Sequence, residues 1–317
     1  MTPVPPDPRH PEQPSSDWPG LGWLAGLDLA GTTVEALLHT TDKTLLAAGH
    51  RGGRPVVVKA LTSTDPFWRE KFAHEIAVYR AMADTPAPVD TPALVHTDGH
   101  SLLVIDRLPG RVLDADRYPT RALTDDELTA AIATVTRFGT WRPPPGALRA
   151  VFDYPDRLRR YAPLLGPGPT AVLTRLCAEL GAPAAPAHGD PLPGNLILFP
   201  TPGQATAASP GAPAGTVTGA LAGALVDFEF TGLFLPGLDL AVLHTLLAAT
   251  PGAPARIRAG AAAAGGDSRA LLVNRAVVLA RELRIHRELP DGALRRERLA
   301  LIEPQFHDLT RELQEHR

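Results

Sequence analysis

Asp190 and Asn195 stand five positions apart in His188-Gly189-Asp190-Pro191-Leu192-Pro193-Gly194-Asn195, and a strand-like run, Leu196-Ile197-Leu198-Phe199, follows at once. A second apolar run ends in acids, Ala224-Leu225-Val226-Asp227-Phe228-Glu229. Two acids and one amide at the edges of a β-hairpin suit one task. They can hold Mg²⁺ against a polyphosphate and orient a hydroxyl beside it.

The elements that must position these groups begin near Val34. Segments 34–39, 45–48 and 55–61 read as three strands, with Gly52-Gly53 supplying the positive φ of a hairpin turn. The third, Pro55-Val56-Val57-Val58-Lys59-Ala60-Leu61, carries a lysine. Asp65-Pro66 opens a helix over 67–83, with Phe72, Ile76, Tyr79 and Ala83 at helical spacing. Glu75 falls on that inward face, where an acid needs a cation, and Lys59 on the adjoining strand is the candidate; the other reading has Glu75 rim the face and stay solvated. Two more strands, 94–96 and 101–108, end at Pro109-Gly110. Five strands and a helix predict a small lobe over 21–106 with a hinge near 106–110.

Beyond the hinge the pattern turns helical. Thr124-Asp125-Asp126-Glu127 is a capping box, and helices are expected at 153–164 and 170–180, the latter closed by Gly181. After Asp227 an apolar helix is expected through about 249, a Gly/Ala/Pro loop over 251–266, a long helix over 268–289, and one or two final helices. The fold class is therefore α+β and two-lobed: a small antiparallel N-terminal lobe with one helix, and a larger, mainly helical lobe over 107–317. The first 20 residues hold seven prolines and read as a disordered or polyproline-like tail, with a PxxP ligand as the alternative. Residues 200–219 read as a flexible hairpin-tip insertion.

Composition narrows the function. The 317 residues carry a formal charge of −3, so nothing suggests nucleic acid or an anionic membrane as partner. One cysteine, Cys177, rules out an internal disulfide framework and reads as a small buried hydrophobe. No apolar run reaches the length of a membrane span, and Met1–Asp7 has no basic or apolar signal region; a cytoplasmic monomer or homodimer is expected. Three lysines stand against 28 arginines, and there are two asparagines, so Lys59 and Asn195 carry more information than usual. There is no Gly-Lys dipeptide for a Walker loop, His74-Glu75 lacks the second histidine of a zinc protease helix, and there is no Gly-x-Ser-x-Gly elbow.

What remains is Lys59, Glu75, Asp190, Asn195 and Asp227, in that order. With Asp106-Arg107-Leu108-Pro109-Gly110 as hinge and Gly237-Leu238-Asp239-Leu240-Ala241 opening a helix, the chain resembles the aminoglycoside phosphotransferase family, a small-molecule branch of the protein-kinase-like fold. The resemblance spans about residues 34–250. It implies ATP or GTP with Mg²⁺, and transfer of the γ-phosphate to a hydroxyl of a small molecule. It further implies that Lys59 contacts the phosphates with Glu75 holding it, that Asp106 and Leu108 line the nucleotide at the hinge, and that Asn195 and Asp227 carry metal. Asp190 then accepts or orients the hydroxyl proton, His188 orients the loop by hydrogen bonding, and Asp239 caps loop amides. Glu229 stands where protein kinases carry glycine, and a metal or substrate contact is one reading of it.

One departure concerns the first hairpin loop, His39-Thr40-Thr41-Asp42-Lys43-Thr44, which has no glycine to let backbone approach a phosphate. Either Thr41 and Lys43 substitute, or the loop stands off and nucleotide binding weakens. Residues 268–317 hold ten arginines and eight acids, which argues mildly against a polycationic acceptor and leaves sugars, amino alcohols and other hydroxylated metabolites. A catalytically inert nucleotide-binding regulator of the same fold is the alternative function. The intact Lys59, Asp190, Asn195 and Asp227 speak for activity.

Overall fold

The computed structural model describes residues 20–24, 26–201 and 220–315. The tail over 1–19 and the insertion over 202–219 lie outside the described residues. After a one-turn helix α1 (Leu21–Leu24), five strands form one antiparallel sheet: β1 (Thr33–Thr40), β2 (Thr44–Arg51), β3 (Arg54–Leu61), β4 (Leu94–Thr97) and β5 (Leu102–Asp106), in the order β1-β2-β3-β5-β4. Gly52 and Gly53, at φ +57° and +80°, make the β2–β3 turn. Val56, Val58 and Ala60 alternate onto one face and pack with Leu24, Leu45 and Leu102 in a small separate core. Lys59 therefore points to the other face, between Leu46 of β2 and Leu103 of β5. That face is covered by α2 (Pro66–Asp84), capped by the Asp65 carboxylate, which accepts from the Phe67 amide at 2.9 Å.

The remaining described residues are helical around two small ribbons: β6 (Arg111–Val112), α3 (Asp125–Phe138), α4 (Tyr154–Leu165), α5 (Pro167–Leu180), β7 (Ala185–Ala187), a 3-10 turn (Pro193–Asn195), β8 (Leu196–Pro200), β9 (Leu221–Leu225), β10 (Gly232–Phe234), α6 (Leu238–Leu246), α7 (Ala253–Ala263), α8 (Ser268–Arg287) and α9 (Ala293–Glu315). This is the expected α+β, two-lobed arrangement. The capping box forms as read: Glu127 N–H donates to Thr124 Oγ1 at 3.2 Å and Thr124 N–H to Glu127 Oε2 at 2.8 Å. No helix among the described residues is long and apolar enough to cross a membrane. Cys177 is buried, and burial pushes its thiol up to about 11.

Residues 251–266 correct the expected loop. They contain α7, which buries Ala253, Ile257 and Ala261 at intervals of one turn. Low-complexity alanine is also the best helix former, and the helix packs on α6 and on α3. Gly260 allows that approach, since a Cβ there would stand 2.7 Å from the Ile132 methyl. The chain's last segment is a single helix, α9, which contains Pro304.

Candidate active site

The β8–β9 hairpin sets the site. Leu196 pairs with Leu225, and the Val226 amide donates to the Asn195 carbonyl at 3.1 Å, so Asn195 and Asp227 leave the same end of the ribbon. Asp227 adopts φ +68°, a left-handed conformation that few side chains other than Asn, Asp and Gly tolerate. The turn aims its carboxylate at β3. Lys59 Nζ donates to Asp227 Oδ1 and to Glu75 Oε2, each at 2.6 Å, and Glu229 Oε2 lies 3.9 Å away. Glu75 is buried, so the solvated alternative falls. The edge-to-face pair of Tyr79 on Phe228, with centroids 5.3 Å apart, fixes α2 against the same segment.

Charge is unbalanced there. Burial would push the Lys59 ammonium down, but Asp227, Glu75 and Glu229 hold it well above its usual value. Burial opposes ionisation of Asp227 too, yet Lys59 and Lys43 bring it down to about 2. Glu75, buried most completely and facing two other acids, is pushed up to about 7, and Glu229 is raised for the same reasons. Three carboxylates whose oxygens lie within 4.8 Å of one another outnumber Lys59 and Lys43. A hard oxygen set with surplus negative charge fits a divalent cation.

The 188–195 loop is braced from behind. Asp239, on the first turn of α6, accepts from the amides of His188 at 2.7 Å and Gly189 at 2.9 Å. His188 Nε2 lies 2.9 Å from the Val226 carbonyl, and its Nδ1 lies 3.4 Å from the Asp190 amide. Both contacts are served by one neutral tautomer, with the proton on Nε2. Gly189 sits at φ +87° against the Phe230 carbonyl, which a Cβ would meet at 2.2 Å. Asn195 Nδ2 donates to the Asp190 carbonyl at 3.0 Å. The Asp190 carboxylate stays partly exposed at 19%.

The remaining predicted residues are dispersed around this centre. Thr41 Oγ1 closes its own turn, accepting from the Thr44 amide at 3.0 Å. Lys43 leaves that loop and reaches Glu229 Oε1 at 2.5 Å, with its ammonium 4.2 Å from the Trp68 ring centroid. Asp106 ends β5 and pairs with Arg54; Leu108 is half-buried two residues on.

Sequence reasoning missed a second cluster. Glu282 is fully buried and accepts from Arg117 Nη2 at 2.7 Å, Tyr118 Oη at 2.6 Å and Arg281 Nε at 3.1 Å. Arg281 Nη2 lies 3.8 Å from Asp190 Oδ1. The available signal was a charged pair, Arg281-Glu282, embedded in the apolar run Val277-Val278-Leu279-Ala280 of α8. The second asparagine, Asn274, is structural: it donates to the carbonyls of Leu235 and Pro236 and accepts from Tyr154 Oη.

A family profile described as the phosphotransferase enzyme family matches residues 45–207, just over half of the chain. The chain belongs to the phosphotransferase enzyme family. No curated protein matches it by sequence. Solved structures share its fold at low identity. A thermostable mutant of aminoglycoside phosphotransferase APH(4)-Ia, in ternary complex with ADP and hygromycin B, aligns at 14% identity and TM-score 0.54, covering 88% of this chain and 94% of that one. The microcompartment-associated aminopropanol kinase aligns at 14% and 0.52, covering 89% and 92%. Macrolide 2'-phosphotransferase MphH from Brachybacterium faecium aligns at 14% and 0.50, covering 88% and 94%. At such identities the likeness establishes this phosphotransferase's protein-kinase-like fold.

Proposed function

We propose that the protein transfers the γ-phosphoryl group of ATP, or of GTP, to a hydroxyl of a small molecule, with Mg²⁺. The observation that carries this reading is the Lys59 ammonium shared between Glu75 and Asp227, on a fold whose Asp190 stays open to solvent. Phosphoryl transfer needs position and countercharge rather than covalent help from the protein. In this reading residues 21–106 hold the nucleotide, with its base at the hinge beside Asp106 and Leu108. Residues 107–317 carry the chemistry.

Each group then has one task. Lys59 binds α/β-phosphate oxygens, and Glu75 keeps it in place. Lys43 can exchange Glu229 for a phosphate oxygen, which gives the glycine-free loop a cationic contact. Asn195 and Asp227 are the residues to hold Mg²⁺, which supplies countercharge to the phosphates when bound. Asp190 orients the acceptor hydroxyl and takes its proton. The hydroxyl oxygen forms a bond to the γ-phosphorus while the bond to the β-phosphate oxygen breaks, and the nucleoside diphosphate leaves with that electron pair. His188 and Asp239 position the loop and touch no reactant.

The test is a nucleotide titration followed by a transfer screen. Purified protein is expected to show a thermal shift with ATP or GTP that depends on Mg²⁺, and to phosphorylate at least one member of a panel of sugars, amino alcohols, aminoglycosides and hydroxy acids. A protein that binds nucleotide yet transfers phosphate to nothing in that panel, and whose Asp190→Asn variant behaves identically, is the inert regulator instead.

A further inference from the structure

We propose that the acceptor of this phosphotransfer carries a negatively charged group, seated on Arg281 and Arg157 at the mouth of an apolar crevice beside Asp190. The proposal rests on the phosphotransfer reading above and names its substrate class.

The crevice lies between α4, α6 and α8 and is bounded by Gly189, which adjoins Asp190. Tyr161, Val242 and Val277 form its buried walls. Its partly exposed members are Phe152, Arg157 and Arg281, so these three form the mouth. Among the described residues, Arg157 and Arg281 are the only charged ones lining it, and both are cations. Arg157 stacks on Phe152, 4.7 Å from the ring centroid, and forms no ion pair among the described residues.

Arg281 is held more tightly. Its Nε donates to Glu282, and its Nη2 ion-pairs with Glu282 Oε1 at 3.0 Å and with Asp190 Oδ1 at 3.8 Å, aligned for a hydrogen bond with neither. A misaligned guanidinium donor keeps hydrogen-bonding capacity unspent, and a carboxylate or phosphate oxygen matches its fork. Glu282 alone does not neutralise the wall, because Arg117 also pairs with it, and Asp190 supplies the second negative charge. One buried carboxylate thus serves two guanidiniums. When Asp190 takes the hydroxyl proton during transfer, its own negative charge also leaves this wall. Near the loop, Lys71 adds another cation, its ammonium 4.6 Å from the Phe230 ring centroid. A protonated amine entering here would face like charge, whereas an anion would gain charge-assisted hydrogen bonds.

The experiment uses two scaffolds, each in three charge states: glycerate, glycerol and serinol; and phenyllactate, phenylpropanediol and phenylalaninol. Binding is measured in the presence of Mg²⁺ and a non-hydrolysable ATP analogue, and transfer from Mg·ATP is measured alongside. In at least one scaffold the anion is expected to bind about tenfold or more tighter than its neutral and amino counterparts. Arg281→Gln and, separately, Arg157→Gln are expected to erase most of that preference through binding or KM while Mg·ATP affinity is retained. Arg157→Gln guards against a folding artefact, because this side chain supports no buried carboxylate. Preference for the amine, absence of any charge preference in both scaffolds, or a preference that survives both substitutions overturns the proposal. Absence of Mg²⁺-dependent binding of both ATP and GTP sinks the phosphotransfer reading itself, and the acceptor class with it. Nucleotide binding without anion preference sinks only the acceptor class.

Discussion

On the β3 side of the 188–195 loop, three carboxylates crowd around Lys59; on the α8 side, two guanidiniums crowd around Glu282. Both clusters are buried, and both join residues far apart in the chain. They differ in balance: three carboxylates outnumber Lys59 and Lys43 on the first side, whereas on the second Arg117 and Arg281 are matched only when Asp190 is counted with Glu282. The acid-rich cluster pushes Glu75 up to about 7. In the arginine-rich cluster burial would likewise raise Glu282, but Arg117 and Arg281 hold it well below the usual carboxylate range. A surplus of buried charge is tolerated where a ligand of the opposite sign completes it. By that measure the first side fits a cation, and the second fits an anion once Asp190, at its edge, has taken a proton.

The largest expected effect falls on the residue at that edge. Asp190→Asn should lower kcat by about 10²–10⁴-fold while Mg·ATP affinity stays unchanged, as read by steady-state kinetics and calorimetry. Equal losses in nucleotide affinity would place Asp190 with the first cluster and break the comparison. Next, Glu282→Ala removes the buried carboxylate that Arg117 and Arg281 share, and should cost about 3–5 kcal/mol in chemical denaturation. A cost within error of zero would show that the guanidiniums find other partners or solvent.

The smallest effect is a difference in pH dependence. Folded Glu75 keeps its proton up to about pH 7, whereas the unfolded chain loses it near 4.5, so stability from this group falls as pH rises through that window. Glu282 has the opposite sign. Its contribution is complete above about pH 4.5 and is lost as pH falls below it. Each slope is at most about 1.4 kcal/mol per pH unit. Denaturation curves for wild type and Glu75→Gln should differ between pH 4.5 and 7 and run parallel below it. A wild-type curve that stays flat across the upper window, in metal-free buffer, would remove the charge surplus around Lys59.

Most of the fold was legible because its signals are local. Val56-Val57-Val58, Gly52-Gly53, Asp65-Pro66 and the Thr124–Glu127 box each fix an element through contacts a few residues apart, and each element is present. The segment over 251–266 reads as a loop because alanine and glycine dominate it, and its helix shows only in the buried stripe Ala253, Ile257 and Ala261. The site was legible to the extent that its residues recur in an ordered set with rare types. Lys43 was visible as a loop cation, but its reach to Glu229, 186 positions away, was not.

The sequence by itself determined the type of chemistry. Lys59, Glu75, Asp190, Asn195 and Asp227 appear in the right order on readable strands and helices, and that order survives any detail of packing. Only the tertiary structure decided which charges share a space. Lys59 meets Asp227 across 168 positions, and Arg117 meets Glu282 across 165. Periodicity within an element says which face a side chain occupies. It does not say which other face lies opposite, because that follows from how helices and sheets stack. The acid surplus beside Lys59 and the arginine pair beside Asp190 are products of that stacking.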